Sequence, residues 1–362
     1  MSIKNSVEEK LKTILIDDNG KKIQLSDTEL VDNIVIANSK VYLSLKANKS
    51  EINKFNLIKS QIEKELSKID GITNVSVSLT SHSINNQTTS QDLTSQKGVS
   101  NIKNIIAVAS GKGGVGKSTT SINLALSISK LGYNVGLLDA DIYGPSIPKL
   151  VGDNQKPKIS RDGNILPINK FSLSLMSIGF LISEDTPMIW RGPMVISAVN
   201  QMLNDVEWGN LDYLVIDMPP GTGDVQLTIA QRLPMRGAII VSTPQDLALI
   251  DAKKGVEMFK KVNVPILGII ENMSTFICPN CSHETHIFGH EGAKLESINQ
   301  GIDFLGDIPL EIELRKSSDA GIPIVDSNSH SDVAKKFLNI ANIITDKINS
   351  SPDNKIPNIV IS

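Results

Sequence analysis

Residues Ile105-Ile-Ala-Val-Ala-Ser-Gly-Lys-Gly-Gly-Val-Gly-Lys-Ser-Thr-Thr120 run from an apolar, β-branched stretch into glycines, a lysine and hydroxyls. From Gly111 to Ser118 the spacing is G-x-x-x-x-G-K-S/T, a phosphate-binding P-loop joining a buried strand to a helix. Gly111, Gly113, Gly114 and Gly116, interrupted by Val115, let consecutive backbone N–H groups turn inward around a chain of phosphates. The N-terminus of the following helix points at the same anion. Lys117 supplies a point charge for the β- and γ-phosphates, the Ser118 hydroxyl suits Mg²⁺, and Thr119 is its neighbour. A glycine-rich turn without a ligand is the alternative; the full motif between the expected strand and helix favours a nucleotide.

Outward from the loop, apolar strands alternate with helical segments. Ile105 to Ala109 is followed by a helix to about Lys130, then by strands at Val135 to Leu138, Tyr213 to Ile216, Ala238 to Val241 and Ile266 to Ile270. This order predicts an α/β fold, a mostly parallel, doubly wound sheet with helices on both faces and ligands at the carboxyl ends of the strands. Val333, Phe337, Ile340, Ala341, Ile344 and Ile348 share one face of a last helix over 331–348, packed on the sheet rather than on a membrane.

The N-terminal part has its own rhythm. Ser6-x-x-Glu9 reads as a capping box for a helix burying Val7, Leu11, Ile14 and Leu15. Two strands, at Ile34 to Ile36 and Val41 to Leu45, are joined by a tight turn at Asn38-Ser39. A helix through Ile52, Phe55, Ile58, Ile62, Leu66 and Ile69 stops near Gly71, and Val75 to Leu79 gives a third strand. Residues 82–101 have almost nothing to bury, so four segments are expected: a small α/β domain at 1–81, a flexible linker at 82–101, the P-loop domain at 102–349 and a tail at 350–362.

The 362 residues suffice for one large and one small domain, and the net charge of −3 with 40% hydrophobic content gives no basic excess for nucleic acid or an anionic membrane. No apolar run approaches the ~20 residues of a membrane span, and Met1 to Asn5 lacks a signal-peptide core, so a cytoplasmic location is expected. The two cysteines, Cys278 and Cys281, flank Pro279-Asn280. In a reducing compartment such a C-x-x-C reads as metal-binding or redox.

Two strand ends carry carboxylates. Leu137-Leu-Asp-Ala-Asp-Ile-Tyr-Gly-Pro-Ser146 puts Asp139 and Asp141 where phosphates should lie, able to order water or Mg²⁺ or simply to cap the loop. Tyr213-Leu-Val-Ile-Asp-Met-Pro-Pro-Gly-Thr-Gly-Asp224 ends a second strand in Asp217, the usual outer-shell Mg²⁺ partner in such loops. Asn272 follows another strand and offers both an acceptor and a donor, to a base edge or to a turn.

The second lysine in Gly111-Lys112-Gly113 resembles the deviant P-loop of the SIMIBI ATPases. That resemblance implies a homodimer closed by ATP, with Lys112 reaching the partner's nucleotide; a solvated loop lysine is the alternative. It further implies that Asp141 orients the attacking water while Asp139 supports the loop. It makes the glycines of Asp217 to Asp224 sensors of the γ-phosphate and Asn272 the reader of adenine, so that ATP is favoured over GTP. Ser242-Thr-Pro-Gln-Asp246 resembles the second base-side loop.

With Arg191-Gly-Pro-Met194, Arg315-Lys-Ser-Ser-Asp-Ala-Gly-Ile-Pro323 and the cysteine pair, about residues 102 to 345 resemble the Mrp/ApbC family of iron–sulfur cluster carrier ATPases. The first 81 residues resemble the small domain related to iron–sulfur assembly factors, with Asp17-Asp-Asn19 in place of an Asp-Pro-Glu signature. The family implies slow ATP hydrolysis and transfer of a cluster, taken as 4Fe–4S, from an assembly scaffold to apo-proteins. A 4Fe–4S cluster takes four thiolates, and a two-fold dimer of this chain supplies four. Two alternatives stay open. One is a structural zinc held by Cys278, Cys281, His283 and His286; the other is a positioning ATPase that carries no metal.

Overall fold

The computed structural model describes residues 3–18, 21–25, 28, 30–37, 40–46, 52–69, 74–80, 99–182, 190–281 and 283–350. The chain divides into two compact units near residue 91.

In the first unit, helix α1 (Ile3–Thr13) precedes a hairpin of β1 (Leu15–Asp18) and β2 (Lys21–Gln24). Strands β3 (Val31–Ala37) and β4 (Lys40–Lys46) pair antiparallel, and after helix α2 (Ile52–Leu66) strand β5 (Asn74–Thr80) joins β4 in parallel. Val7, Leu11, Ile14, Ile16, Val41, Leu43, Ile58, Ile62 and Leu66 form its core. Three expectations are corrected here. The helix starts before Ser6, so Ser6 is inside it rather than its cap. It ends at Thr13, because Leu15 is taken into the ladder opposite Gln24. The second helix stops at Leu66, and Gly71 lies outside the described residues.

The second unit opens with β6 (Ile102–Ala109), α3 (Lys117–Lys130), β7 (Val135–Asp139), α4 (Ile147–Leu150), β8 (Ile168–Lys170), β9 (Leu173–Ser177), α5 (Ile178–Leu181) and α6 (Gly192–Asn204). It continues through β10 (Leu211–Asp217), α7 (Asp224–Arg232), β11 (Met235–Ser242), α8 (Asp246–Lys261), β12 (Ile266–Ile277) and β13 (Glu284–Thr285). Last come α9 (Gly292–Gln300), β14 (Phe304–Leu310), α10 (Ile312–Asp319), α11 (Ile324–Ser327) and α12 (Asp332–Ser350). The sheet runs β13-β12-β11-β6-β10-β7-β9-β8 with β14 also on β12; only β8 and β13 are antiparallel to their neighbours.

Central strands buried on both faces read as unbroken apolar runs, which is why β6, β7, β10 and β11 were legible. Their carboxyl ends bring the phosphate loop, Asp139, Asp217 and Ser242 to one rim. Val99, within the expected linker, is instead buried in the core of this unit; residues 82–98 and 351–362 lie outside the described residues. No described helix is long and apolar enough to cross a membrane.

Helix α12 packs on α3, the helix that follows the phosphate loop, and on β14. Phe337, 1% exposed, is among the α12 residues buried in this core. Phe337→Ala is therefore expected to destabilise this unit by about 3–5 kcal/mol, read as a lower urea midpoint; a loss under about 1 kcal/mol would show that the helix is not part of the core.

Candidate functional site

The loop after β6 takes its shape from left-handed glycines. Gly114 (φ 82°) and Gly116 (φ 81°) adopt backbone angles that side chains disfavour. A Cβ on Gly116 would stand 2.1 Å from Asn272 Nδ2, and one on Gly111 would stand 2.1 Å from the Asp251 carbonyl oxygen of α8. The glycines thus serve close approach as well as curvature.

Asp217 collects the side chains of the loop. Lys117 Nζ lies 2.7 Å from its Oδ1, Ser121 Oγ donates to the same oxygen at 2.7 Å, and Ser118 Oγ donates to Oδ2 at 2.5 Å. Lys117 is 6% exposed and Asp217 not at all, so this is an ion pair held away from water. Thr119, half-buried, uses its carbonyl to accept from Asn123 Nδ2 at 2.8 Å.

Asp139 stands directly across from Asp217 in the β7–β10 register. It accepts from the backbone N–H groups of Asp141, Ser146 and Ile147 at 3.1, 3.0 and 3.2 Å, and from Ser177 Oγ at 3.0 Å. Those bonds hold the loop that carries Asp141. Burial and the neighbouring Asp217 charge still push the Asp139 carboxyl up to about 7. Burial also raises Asp141, which accepts from the backbone N–H of Gly144 at 3.3 Å and from that of Tyr143. A divalent cation at this rim would favour the ionised form of the carboxyls that burial raises, and Ser118 with Asp217 offers the hard oxygens Mg²⁺ prefers.

The remaining expected residues are spread around this centre. Asn272, expected just after a strand, is instead buried within β12, which runs on to Ile277, and donates from Nδ2 to the Val115 carbonyl of the phosphate loop at 2.8 Å. Lys112 reaches Gln245 Oε1 of its own chain at 3.4 Å, placing it beside the Ser242–Asp246 loop. Gly321 (φ 70°), in the Arg315–Pro323 stretch, packs so closely on Gly152 that a Cβ would meet its Cα at 2.4 Å.

Cys278 and Cys281 occupy the bend between β12 and β13, where Cys278 N–H donates to the His283 carbonyl at 3.0 Å. Both thiols are free, Cys278 partly buried and Cys281 exposed. The N–H groups of Asn280 and Cys281, with the Cys281 thiol, hold the Cys278 thiol below its usual range, which favours the metal-binding thiolate. The single-chain zinc alternative is not supported: the His286 ring stacks on His290 at 4.1 Å, and among the described residues no three Cys, His, Asp or Glu side chains gather around a common point.

Sequence reasoning missed several supports. Ser121 is one helical turn beyond Lys117, a spacing that could have flagged it. Gln226 threads the second carboxylate loop, accepting from Gly223 N–H at 2.5 Å and donating to the Pro219 carbonyl at 2.7 Å; its place three residues after Gly223 matches the glutamine half of a capping box. Ser177 and Glu271 carry no such local mark.

Comparison with known proteins places this geometry. The model of the NUBPL iron-transfer P-loop NTPase family matches residues 101–345. This chain belongs to that family. A model described as iron–sulfur cluster assembly protein matches residues 4–79 of the first unit. The iron–sulfur cluster transfer protein NUBPL of Mus musculus is 51% identical over 269 residues, 74% of this chain and 84% of the relative. The iron–sulfur cluster carrier protein of Escherichia coli (strain K12) is 49% identical over 288 residues, 79% of this chain and 77% of the relative. Among solved structures, the Archaeoglobus fulgidus nucleotide-binding protein in complex with ADP is similar with a TM-score of 0.56 and 40% identity, covering 65% of this chain and 92% of that one. The Pyrococcus furiosus cell division ATPase MinD shares the fold, with a TM-score of 0.52 at 22% identity over 67% of this chain and 99% of its own. The chain is a P-loop NTPase.

The buried pair makes a stability prediction. In Lys117→Ala the Asp217 carboxylate stays buried without its cation, so nucleotide-free protein should lose about 3 kcal/mol. Half-exposed Lys112→Ala should change stability by no more than about 0.5 kcal/mol. Denaturant unfolding of both variants checks the contrast; equal losses would remove the ion pair from its structural role.

Proposed function

We propose that this chain is an ATP-dependent iron–sulfur cluster carrier of the cytoplasm. The observation that carries this reading is the free, partly exposed Cys278–Cys281 pair at the tip of the strand whose inner residues brace the phosphate loop. Membership in a family whose relatives are named for cluster transfer and carriage supports it. Two thiolates per chain meet half the need of a 4Fe–4S cargo, so a homodimer holds the cluster between subunits and releases it when the dimer changes shape. The cluster comes from an assembly scaffold and goes to apo-proteins.

Within the nucleotide site each residue has a task. Gly111 to Thr119 wraps the phosphates, Lys117 neutralises them, and Ser118 with Asp217 holds Mg²⁺, which balances the phosphate charge when bound. Asp141 orients the attacking water from a loop braced by Asp139, Lys112 serves the partner's nucleotide, and Asn272 reads adenine. Hydrolysis is slow, acting as a timer for dimer shape. A metal-free positioning ATPase leaves the exposed thiols without a task, and the likeness to MinD is one of fold alone.

Lys117→Ala should weaken ATP binding itself, whereas Lys112→Ala should keep binding and slow turnover. Asp141→Asn should keep ATP bound while turnover falls roughly 10²-fold or more, the scale of a lost positioning contact. Isothermal titration and phosphate release separate these outcomes; normal turnover in Asp141→Asn would remove it from the mechanism.

Cys278→Ser or Cys281→Ser exchanges a soft thiolate for a protonated hydroxyl and deprives a shared cluster of two of its four ligands at once. Anaerobic reconstitution with iron and sulfide should then give no visible absorption, while ATP affinity and melting temperature match the parent chain. One zinc per chain with no iron uptake would overturn the carrier reading.

A further inference from the structure

The phosphate loop and the cysteines are separated in function but share one strand. Asn272 and Cys278 are six residues apart on β12 and its continuation, about 20 Å of extended chain. Asn272 Nδ2 holds the Val115 carbonyl, and Met273 Cε lies 3.8 Å from the point where a Gly116 side chain would begin. Met273 itself has φ 57°, a left-handed conformation that few residues with a side chain adopt. It falls inside a break in the β12–β14 pairing between Asn272 and Phe276, after which Phe276 pairs again with Leu310. So the strand bends directly behind the phosphate loop before it runs out to Cys278.

The other flank of the hairpin returns to the same place. Glu271 is 3% exposed and accepts from the backbone N–H of Ala293 at 2.7 Å, at the start of α9 and two residues beyond the segment that follows β13. Helix α9 is thereby fastened to the residue preceding Asn272. Both ends of the cysteine-bearing segment 277–291 are rooted in the tripeptide Glu271-Asn272-Met273, whose middle residue touches the nucleotide loop. A shift of the phosphate loop at Val115 is passed to Asn272 through their hydrogen bond, and along the backbone to Glu271 and Met273 on either side.

We propose that Glu271 and Met273 are positioning residues that couple the phosphate loop to the cysteine hairpin, so that the nucleotide sets the geometry and exposure of the Cys278 and Cys281 thiols. This rests on the nucleotide and cargo assignments above, but it concerns the apo chain. Met273 acts by fixing the bend, and Glu271 by fixing the return. Neither needs to touch nucleotide or cluster.

The test uses the full chain, free of cluster, whose only thiols are Cys278 and Cys281. Their alkylation rate is followed with and without a non-hydrolysable ATP analogue, with dimer fraction measured by sedimentation and nucleotide affinity by titration. In the parent chain the analogue should change the rate about five-fold or more. Met273→Gly, which accepts the left-handed angle and so folds without strain, should cut that effect below about two-fold at unchanged affinity and dimer fraction. Glu271→Ala should do the same, and Glu271→Gln, which still accepts from Ala293 N–H, should restore it. A full effect in both Met273→Gly and Glu271→Ala, its loss only together with dimerisation, or no effect in the parent chain would overturn the coupling. Iron and sulfide uptake by the parent chain is scored separately: a chain that takes up no iron yet shows the Met273-dependent thiol response overturns the carrier reading and leaves the coupling standing.

Discussion

The ion pair between Lys117 and Asp217 is the constraint on which the nucleotide site depends. Removing an ammonium and a carboxylate from water costs several kcal/mol each, and only close pairing with further hydrogen bonds offsets it. Ser118 and Ser121 supply those bonds from the same helix. Lys117 opens α3, Asp217 closes β10, and β10 lies beside β6 in the sheet. The pair thus closes a loop–helix–strand triangle whose geometry leaves little freedom to the glycines between β6 and α3.

Charge balance then shapes the rim. Asp139, paired in register with Asp217, cannot be ionised cheaply beside it, and four donors from its own loop and Ser177 fill its coordination. Loop 140–147 is folded around that carboxylate. Asp141 accepts instead from the backbone N–H groups of Gly144 and Tyr143, within that same loop. In the proposed mechanism this held carboxyl at the rim is the group that positions the water.

The thiols sit at the opposite extreme of burial. Strand β12 begins inside the sheet, between β11 and β14, and ends in a hairpin whose cysteines reach solvent. A site that binds phosphates gains from exclusion of water, because the same charges attract more strongly there. Cargo passed from protein to protein must be reachable. One continuous strand reconciles the two demands by spanning both environments, and its left-handed bend at Met273 marks the passage between them.

Features set by neighbours along the chain could be read from residue order. The phosphate loop was legible because its glycine angles and its lysine follow from local spacing, and the central strands because burial on both faces leaves unbroken apolar runs. The cysteine pair was legible as chemistry, being two soft ligands with no disulfide framework around them. Local pattern failed at Leu15, whose helical spacing gave way to a ladder partner at Gln24, and at Val99, a lone apolar residue in polar surroundings that a distant core absorbs. Folding sets the rest: His286 stacks on His290 instead of joining the cysteines, Asn272 reaches Val115 from 157 residues away, and Glu271 fastens α9. These contacts join segments far apart in sequence, and periodicity carries no information about which segments the sheet order will bring side by side.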